Sequence, residues 1–469
     1  MDQSKLNQQE IIFTSPVNSN GVNTHTPQSN HSQSKIYARE QKGKWQQTRR
    51  YLNVVLMALF ICLPWIEYQG QQAIYFDVAT QQFNFFSLVL FPSDLFIFCL
   101  VFMLAAFGLF YITKFYGRVW CGFACPQTIW TLMFNWVERR VEGSHNKSKQ
   151  LDQQPLNINK VSKKLIKHSV WMAISIFTAL VFMSYFVPAK SLYLNFIQFE
   201  LSSTLQAWVW FFVFCTYINA GWMKEKMCQH VCPYSRFQSA MFDTKTWLID
   251  YDSQRGENRG RRKIGQQKKT EQGDCVDCDL CVQVCPVGID IRNGIQYECI
   301  SCGLCIDACD QTMSKFKYAK NLIGFRQEQR SEKSWSRHLA YGLVISLTII
   351  TMLWWAQHRV DFDLTVSRDR QALYRVNDND EIENSYIVKV RNKSRDIKQY
   401  TVELANPATY TINGQTQFTV LPGELYIATV VAARPDNTTE QRGAITLVVR
   451  SISQGTSVEQ NTSFYGPKS

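Results

Sequence analysis

The chain has 469 residues, a formal net charge of +12 and 15 cysteines. That length allows two to four domains, and the basic balance would suit a nucleic-acid binder unless the charge proves to have another purpose. All the cysteines fall between Cys62 and Cys309, eight of them within 35 residues, which excludes a secreted disulfide scaffold and points to a metal or redox site in a reducing compartment.

Residues 1–35 are rich in Gln, Asn and Ser and lack the apolar stretch of a signal peptide, so a disordered polar tail is expected there. Five apolar runs follow, near Tyr51–Ile66, Leu95–Tyr111, Val170–Val187, Leu205–Trp222 and Leu339–Trp355. Crossing a bilayer takes roughly 17–25 residues, and the first run needs its flanks, Arg50 and Glu67, to reach the interfaces. Any one run could be a buried helix of a soluble protein. Five together, with Trp65, Trp222, Trp354 and Trp355 at their ends, read as a five-helix transmembrane bundle. Spans one to four lie in residues 36–222 and the fifth in 338–357.

Lysine and arginine set the orientation. Lys35, Arg39, Lys42, Lys44, Arg49 and Arg50 precede span one, whereas Glu67–Asp94 has neither residue type. The loop after span two is basic again, that after span three has only Lys190, and Lys224 to Arg337 is strongly basic. The amino terminus and residues 223–337 are therefore expected inside, with the carboxyl terminus outside. Topology accounts for the positive charge, and a nucleic-acid partner is not expected.

Just past span two stands CGFACP, with Cys121 and Cys125; just past span four stands CQHVCP, with Cys228 and Cys232. Positions i and i+4 share a helix face, yet Pro126 and Pro233 disfavour helical geometry at Cys125 and Cys232 and suit the first turn of a new helix. After Pro126, a stripe of Trp130, Met133, Phe134, Val137 and Val141 predicts an interfacial amphipathic helix. Two thiol pairs could meet to hold one soft metal ion, such as Cu(I), zinc or an iron–sulfur centre. They could equally form a reversible disulfide or be buried structural cysteines, and His230 is a candidate extra ligand. Cys62, Cys99 and Cys215, inside spans, read as packing residues.

CVDCDLCVQVCP supplies Cys275, Cys278, Cys281 and Cys285; CISCGLCIDACD supplies Cys299, Cys302, Cys305 and Cys309. Each run has the C-x2-C-x2-C-x3-C spacing in which three thiolates hold one cubane and the fourth reaches the other cluster. The expected [4Fe–4S] ligand sets are Cys275, Cys278, Cys281 and Cys309, and Cys299, Cys302, Cys305 and Cys285. Structural zinc, the alternative, favours two separated pairs. Asp310 replaces the proline usual after the second run, a change of turn rather than ligand. The ferredoxin-like core is expected at 265–320. After His358 period-2 alternation takes over: Tyr386, Val388, Val390; Tyr400, Val402, Leu404; Ile445, Leu447, Val449. Residues 358–469 read as an immunoglobulin-like antiparallel β-sandwich.

Over residues 36–469 this combination of spans, CGFACP, CQHVCP, two cluster runs and a β-domain resembles the cytochrome c oxidase accessory proteins called CcoG, FixG or RdxA. The resemblance implies a multi-pass protein of the bacterial inner membrane, with a cytoplasmic ferredoxin domain and a periplasmic β-domain. It implies a cupric reductase, an oxidoreductase that supplies Cu(I) for assembly of cbb3-type cytochrome c oxidase. Cys121, Cys125, Cys228 and Cys232 would then bind copper, and two [4Fe–4S] clusters would give the electrons. Its partners would be the lipid bilayer, oxidase assembly factors or copper chaperones and transporters, and an unnamed cytoplasmic donor, with a homodimer left open. Two rivals are a NapH- or NosR-like conduit from quinol to the periplasm and a redox-sensing assembly scaffold.

Overall fold

The computed structural model describes residues 36–243, 245–266, 268, 270–327, 335–369, 372–405, 409–435 and 441–467. The expected polar tail lies outside these residues. The described residues divide into two compact units: those within 36–59, 106–179 and 203–341, and those within 60–105, 180–202 and 342–467.

Among the described residues, three helices are long and apolar enough to cross a membrane: Pro92–Tyr116, Ile158–Met183 and Trp335–His358. A fourth candidate is the pair Ala189–Gln198 and Ser203–Met223, bent by 93° at its break. The expected first span is a helix, Lys44–Cys62, but it opens KWQQTRR, and those polar residues keep it below the same standard. Three or four of the five expected spans thus meet that standard. The fourth also changes winding, from α-helix over Ser203–Thr216 to π-helix over Tyr217–Met223.

In the first unit, the Pro126–Glu142 helix does not present its apolar stripe to a bilayer interface as expected. Phe134 and Val137 are buried against Trp171 and Ala220, with Trp130, Met133 and Val141 around them. The Trp171 indole donates to the Phe134 carbonyl at 3.1 Å. The cysteine-rich segment is closed by two strands that sequence reading missed, Leu248–Tyr251 paired antiparallel with Ile323–Arg326, so the domain is longer than its expected core.

Asp243 ties two long helices together. Its carboxylate accepts from Arg337 at 2.7 Å and from Lys114 at 3.0 Å. Burial alone would raise its pKa, but those two cations outweigh burial and hold it at about 2, against an ordinary 3.8. Because the folded value lies below the unfolded one, this contribution to stability is complete above about pH 4 and lost as pH falls towards 2. Asp243→Asn should therefore lower the denaturation midpoint at pH 7 by a margin that closes between pH 4 and 2. Paired unfolding curves of the two proteins in detergent check this.

In the second unit, two sheets pack face to face. One runs in the order Thr411–Asn413, Leu425–Pro435, Glu381–Asn392, Phe362–Arg368, with Arg375–Val376 also on Glu381–Asn392. The other runs Gln417–Val420, Lys398–Leu404, Arg442–Ser451, Ser457–Tyr465. Along Glu381–Asn392 every second residue is buried, as alternation on a two-layer core requires. Two of those buried positions are asparagines with answered side chains: Asn384 exchanges hydrogen bonds with the Tyr465 backbone, and Asn392 donates to Asp396 and Val420 carbonyls. Buried Asp94, beside the first turn of the Leu95–Tyr116 helix, meets Lys393 at 2.7 Å and Arg359 at 3.2 Å. The segment before that helix, read as a loop without lysine or arginine, contains a three-stranded sheet of Ile74–Asp77, Gln82–Phe85 and Leu88–Leu90.

Candidate iron–sulfur and thiol site

The two cysteine runs fold alike. In each, the residue before the second cysteine and the residue after it take left-handed backbone: Asp277 and Asp279 in the first run, Ser301 and Gly303 in the second. These two reversals bend each run around its own three sulfurs. One position where the runs differ has a steric cause. Asp279 reaches Arg292 at 2.8 Å, whereas a Cβ on Gly303 would meet the Trp45 ring at 2.7 Å.

Two cavities result. Cys275, Cys278, Cys281 and Cys309 line one, with Tyr251, Leu280, Met313 and Ile323. Cys285, Cys299, Cys302 and Cys305 line the other, with Ile249, Val287, Ile289 and Leu304, and Cys281 touches its edge. The fourth cysteine of each run thus sits with the other run's three. Among the described residues no three His, Cys, Asp or Glu side chains, those of the cysteine runs and of the CxxxCP pairs included, converge enough to hold a single metal ion. Sulfur-lined, apolar cavities with this crossed grouping fit a pair of iron–sulfur clusters. Burial first, then neighbouring cysteines, pushes the Cys285 and Cys309 thiols up to about 12; burial also lifts Cys281 to about 12 and Cys299 to about 11. Such thiols ionise at neutral pH only when a metal replaces the proton.

Asp310 lies inside the Leu304–Lys315 helix, which runs on past Cys309, whereas the first run's short helix Leu280–Gln283 stops before Pro286. Proline at 310 would remove a helical N–H, so the departure lengthens a helix rather than altering a turn. Asp307, on the same helix, is buried and caps the Lys44–Cys62 helix from a distance. Its carboxylate accepts from the Trp45 and Gln46 N–H groups at 3.2 and 2.9 Å. Gly43 is required at the cap position because a Cβ there would collide with Asp307.

The CxxxCP pairs do not lie on single helices. Cys121 lies in the short helix Val119–Phe123, while Cys125 is extended (φ −63°, ψ 129°) and precedes Pro126 at the first position of the next helix. Cys228 lies in a π-turn, Met227–Val231, and Cys232 is again extended (φ −69°, ψ 112°) before Pro233. Proline's constraint on its predecessor therefore overrides the shared-face arrangement. The four thiols are electrostatic neighbours: Cys125 and Cys228 act on Cys121, and Cys232 acts on Cys125 and Cys228. Burial first, then Cys125, pushes Cys121 up to about 12 and Cys228 to about 11. The Cys121 thiol donates to Gln238 at 3.2 Å, and His230 is exposed.

The first pair rests on the second cysteine set. Cys121, like Cys285 and Cys299, packs against the buried cluster of Ile300, Cys302 and Leu304. A Cβ on Gly122 would come within 2.6 Å of the Ile300 carbonyl oxygen and 3.0 Å of Cys302 Cα. From the second pair, Gln229 donates to the Val287 carbonyl at 3.3 Å.

Residues 223–328 match the 4Fe–4S dicluster domain, and residues 352–467 match the Ig-like fold at the C-terminus of FixG. The chain is 34% identical to protein RdxA of Cereibacter sphaeroides, over 80% of this chain and 82% of that protein. It is 33% identical to RdxB of the same organism, over 87% of each. Nitrogen fixation protein FixG of Rhizobium meliloti is 31% identical, over 81% of each chain. With both its iron–sulfur and its Ig-like segment accounted for, and relatives matched over most of their length, this chain belongs to the FixG/RdxA family of membrane-bound iron–sulfur electron-transfer proteins.

Proposed function

We propose that the chain reduces Cu(II) to Cu(I) at its CxxxCP thiols and so supplies reduced copper for assembly of cbb3-type cytochrome c oxidase. The observation that carries this is the seating of Cys121 and Gly122 on the Ile300–Cys302 backbone, which leaves a soft-ligand pair against a cluster site. On this reading Cys275, Cys278, Cys281 and Cys309 hold one [4Fe–4S] cluster, and Cys299, Cys302, Cys305 and Cys285 the second. When bound, the clusters supply single electrons at low potential. Copper is the substrate: each Cu(II) gains one electron. Thiolates favour the product ion, which draws the reaction forward. Cys121 and Cys228, protonated when free, release their protons on binding it. The lysine and arginine asymmetry supports a cytoplasmic side of the inner membrane for these thiols and the cysteine runs, and a periplasmic β-sandwich that could meet assembly partners. That topology needs an odd number of crossings, which the Lys44–Cys62 helix would complete.

The test mixes anaerobic, dithionite-reduced protein with Cu(II) while the cupric EPR signal and the cluster absorbance are followed. Stoichiometric loss of Cu(II) with matching cluster reoxidation is expected, and its loss in the variant with serine at Cys121, Cys125, Cys228 and Cys232. Persistent Cu(II) alongside rapid reoxidation by a quinone would replace this reading with the quinol conduit.

A further inference from the structure

Two arginines are buried beside the second cysteine set without the partners their charge calls for. Arg49 is 1% exposed and Arg118 3%. Arg49 follows Trp45, which is seated on Gly303, by one helical turn, so both side chains share a face. Its Nε and one terminal nitrogen have no hydrogen-bond partner. Arg118 immediately precedes the Val119–Phe123 helix; one terminal nitrogen donates to the Ser235 carbonyl, and its Nε has no partner. The groups able to carry opposite charge that lie nearest them are chiefly cysteines: Cys302 by Arg49, and Cys121, Cys299 and Cys228, then Glu298, by Arg118. A guanidinium keeps its charge when buried, so it demands negative charge nearby.

The first set is surrounded differently. Arg292 donates to Asp277, Asp279 and Asp290 at 2.7–2.8 Å, so one cation answers three carboxylates. Exposed Arg261 stands 3.9 and 3.8 Å from Asp277 and Asp279. Asp307, between the sets in sequence, is taken up by the Trp45 and Gln46 N–H groups. Arg262 also donates to the Cys275 carbonyl, at 3.2 Å, so three arginines stand with three carboxylates at the first site. Among the described residues the local field is therefore asymmetric: near balance at the first site, and an excess of positive charge, two buried arginines against Glu298, at the second.

We propose that Arg49 and Arg118 raise the reduction potential of the second iron–sulfur site above that of the first, making the site beside Cys121 the stronger electron acceptor. Each one-electron reduction adds a negative charge, which a fixed cation in a low-dielectric interior stabilises, and unpaired N–H donors near cluster sulfur act in the same direction. Neither arginine ligates iron; both act through the field. The inference rests on the two-cluster reading of the eight cysteines.

The experiment is a mediated redox titration of the full-length chain in detergent, followed by EPR, with iron and acid-labile sulfide measured on every sample. Wild type should give two one-electron waves. Arg49→Gln and Arg118→Gln should each lower the upper wave by a tenfold or larger change in the reduced-to-oxidised ratio at fixed poise, about 59 mV per tenfold. The lower wave should stay in place. Arg49→Lys and Arg118→Lys, which keep the charge, should hold the upper wave near wild type, and Arg292→Gln should move the lower wave instead. Full iron with an unmoved upper wave in both glutamine variants overturns the proposal, as does a lysine shift equal to the glutamine shift. A wild-type chain that binds no iron overturns the cluster reading and this inference together.

Discussion

Cys309→Ser is expected to remove about half of the bound iron, and Cys275→Ser combined with Cys309→Ser no more than either change alone. The structure separates Cys309 from its three sequence neighbours and gives it to the cavity of Cys275, Cys278 and Cys281. The Leu304–Lys315 helix does this, setting Cys309 about one turn beyond Cys305. Two changes at one site cannot add, since a cubane lost once cannot be lost again. Cys299→Ser with Cys309→Ser touches both sites and should leave the chain nearly without iron. Iron analysis and EPR of the singles and both doubles decide the matter; a grouping by sequence run would reverse the two doubles.

The second large effect is expected at Gly122. Alanine adds one methyl group, but its nearest neighbours are the Ile300 carbonyl oxygen and the Cys302 backbone, at 2.6 and 3.0 Å. Backbone cannot swing aside as a side-chain tip can, so the CGFACP turn and the cluster loop must move apart. Overpacking of this kind costs about 1–3 kcal/mol. The same displacement should slow Cu(II)-dependent reoxidation at least tenfold while the iron content stays near wild type. Gly108→Ala, where a Cβ meets nothing within 4 Å, is the control and should leave both quantities unchanged. Equal behaviour of the two variants would remove the functional contact between Cys121 and the second site.

Local periodicity made the β-domain readable: Tyr386, Val388 and Val390 alternate because one side of their strand faces the core, and all three are buried. The cysteine runs were readable for a similar reason, since their spacing is itself the geometry of the turn. Partner choice was not readable. The stripe from Trp130 to Val141 is equally apolar whether lipid or Trp171 covers it, and only the fold shows that Trp171 does. The π-turns around Cys228 carry no composition signal. Arg49 looked like a topological charge because it belongs to the basic run before span one, yet it is buried beside the cluster domain whereas Arg50 is exposed. Gly43, Trp45 and Gly303 make sense only together, and they are brought together by tertiary packing.

The remote cap on the first helix also has a consequence for synthesis. Asp307 leaves the ribosome 262 residues after Trp45, whose N–H it receives. At 5–20 residues per second, that is a delay on the order of 10–50 s. During that interval the start of the helix has no side chain of its own to finish it, because its cap residue is glycine. The first turn of that helix therefore stays less stable, by about 1 kcal/mol for a missing cap, until the cysteine-rich domain has been made. Incomplete chains that never gain that domain would carry an unfinished helix end, a mark by which quality control could sort them from finished ones.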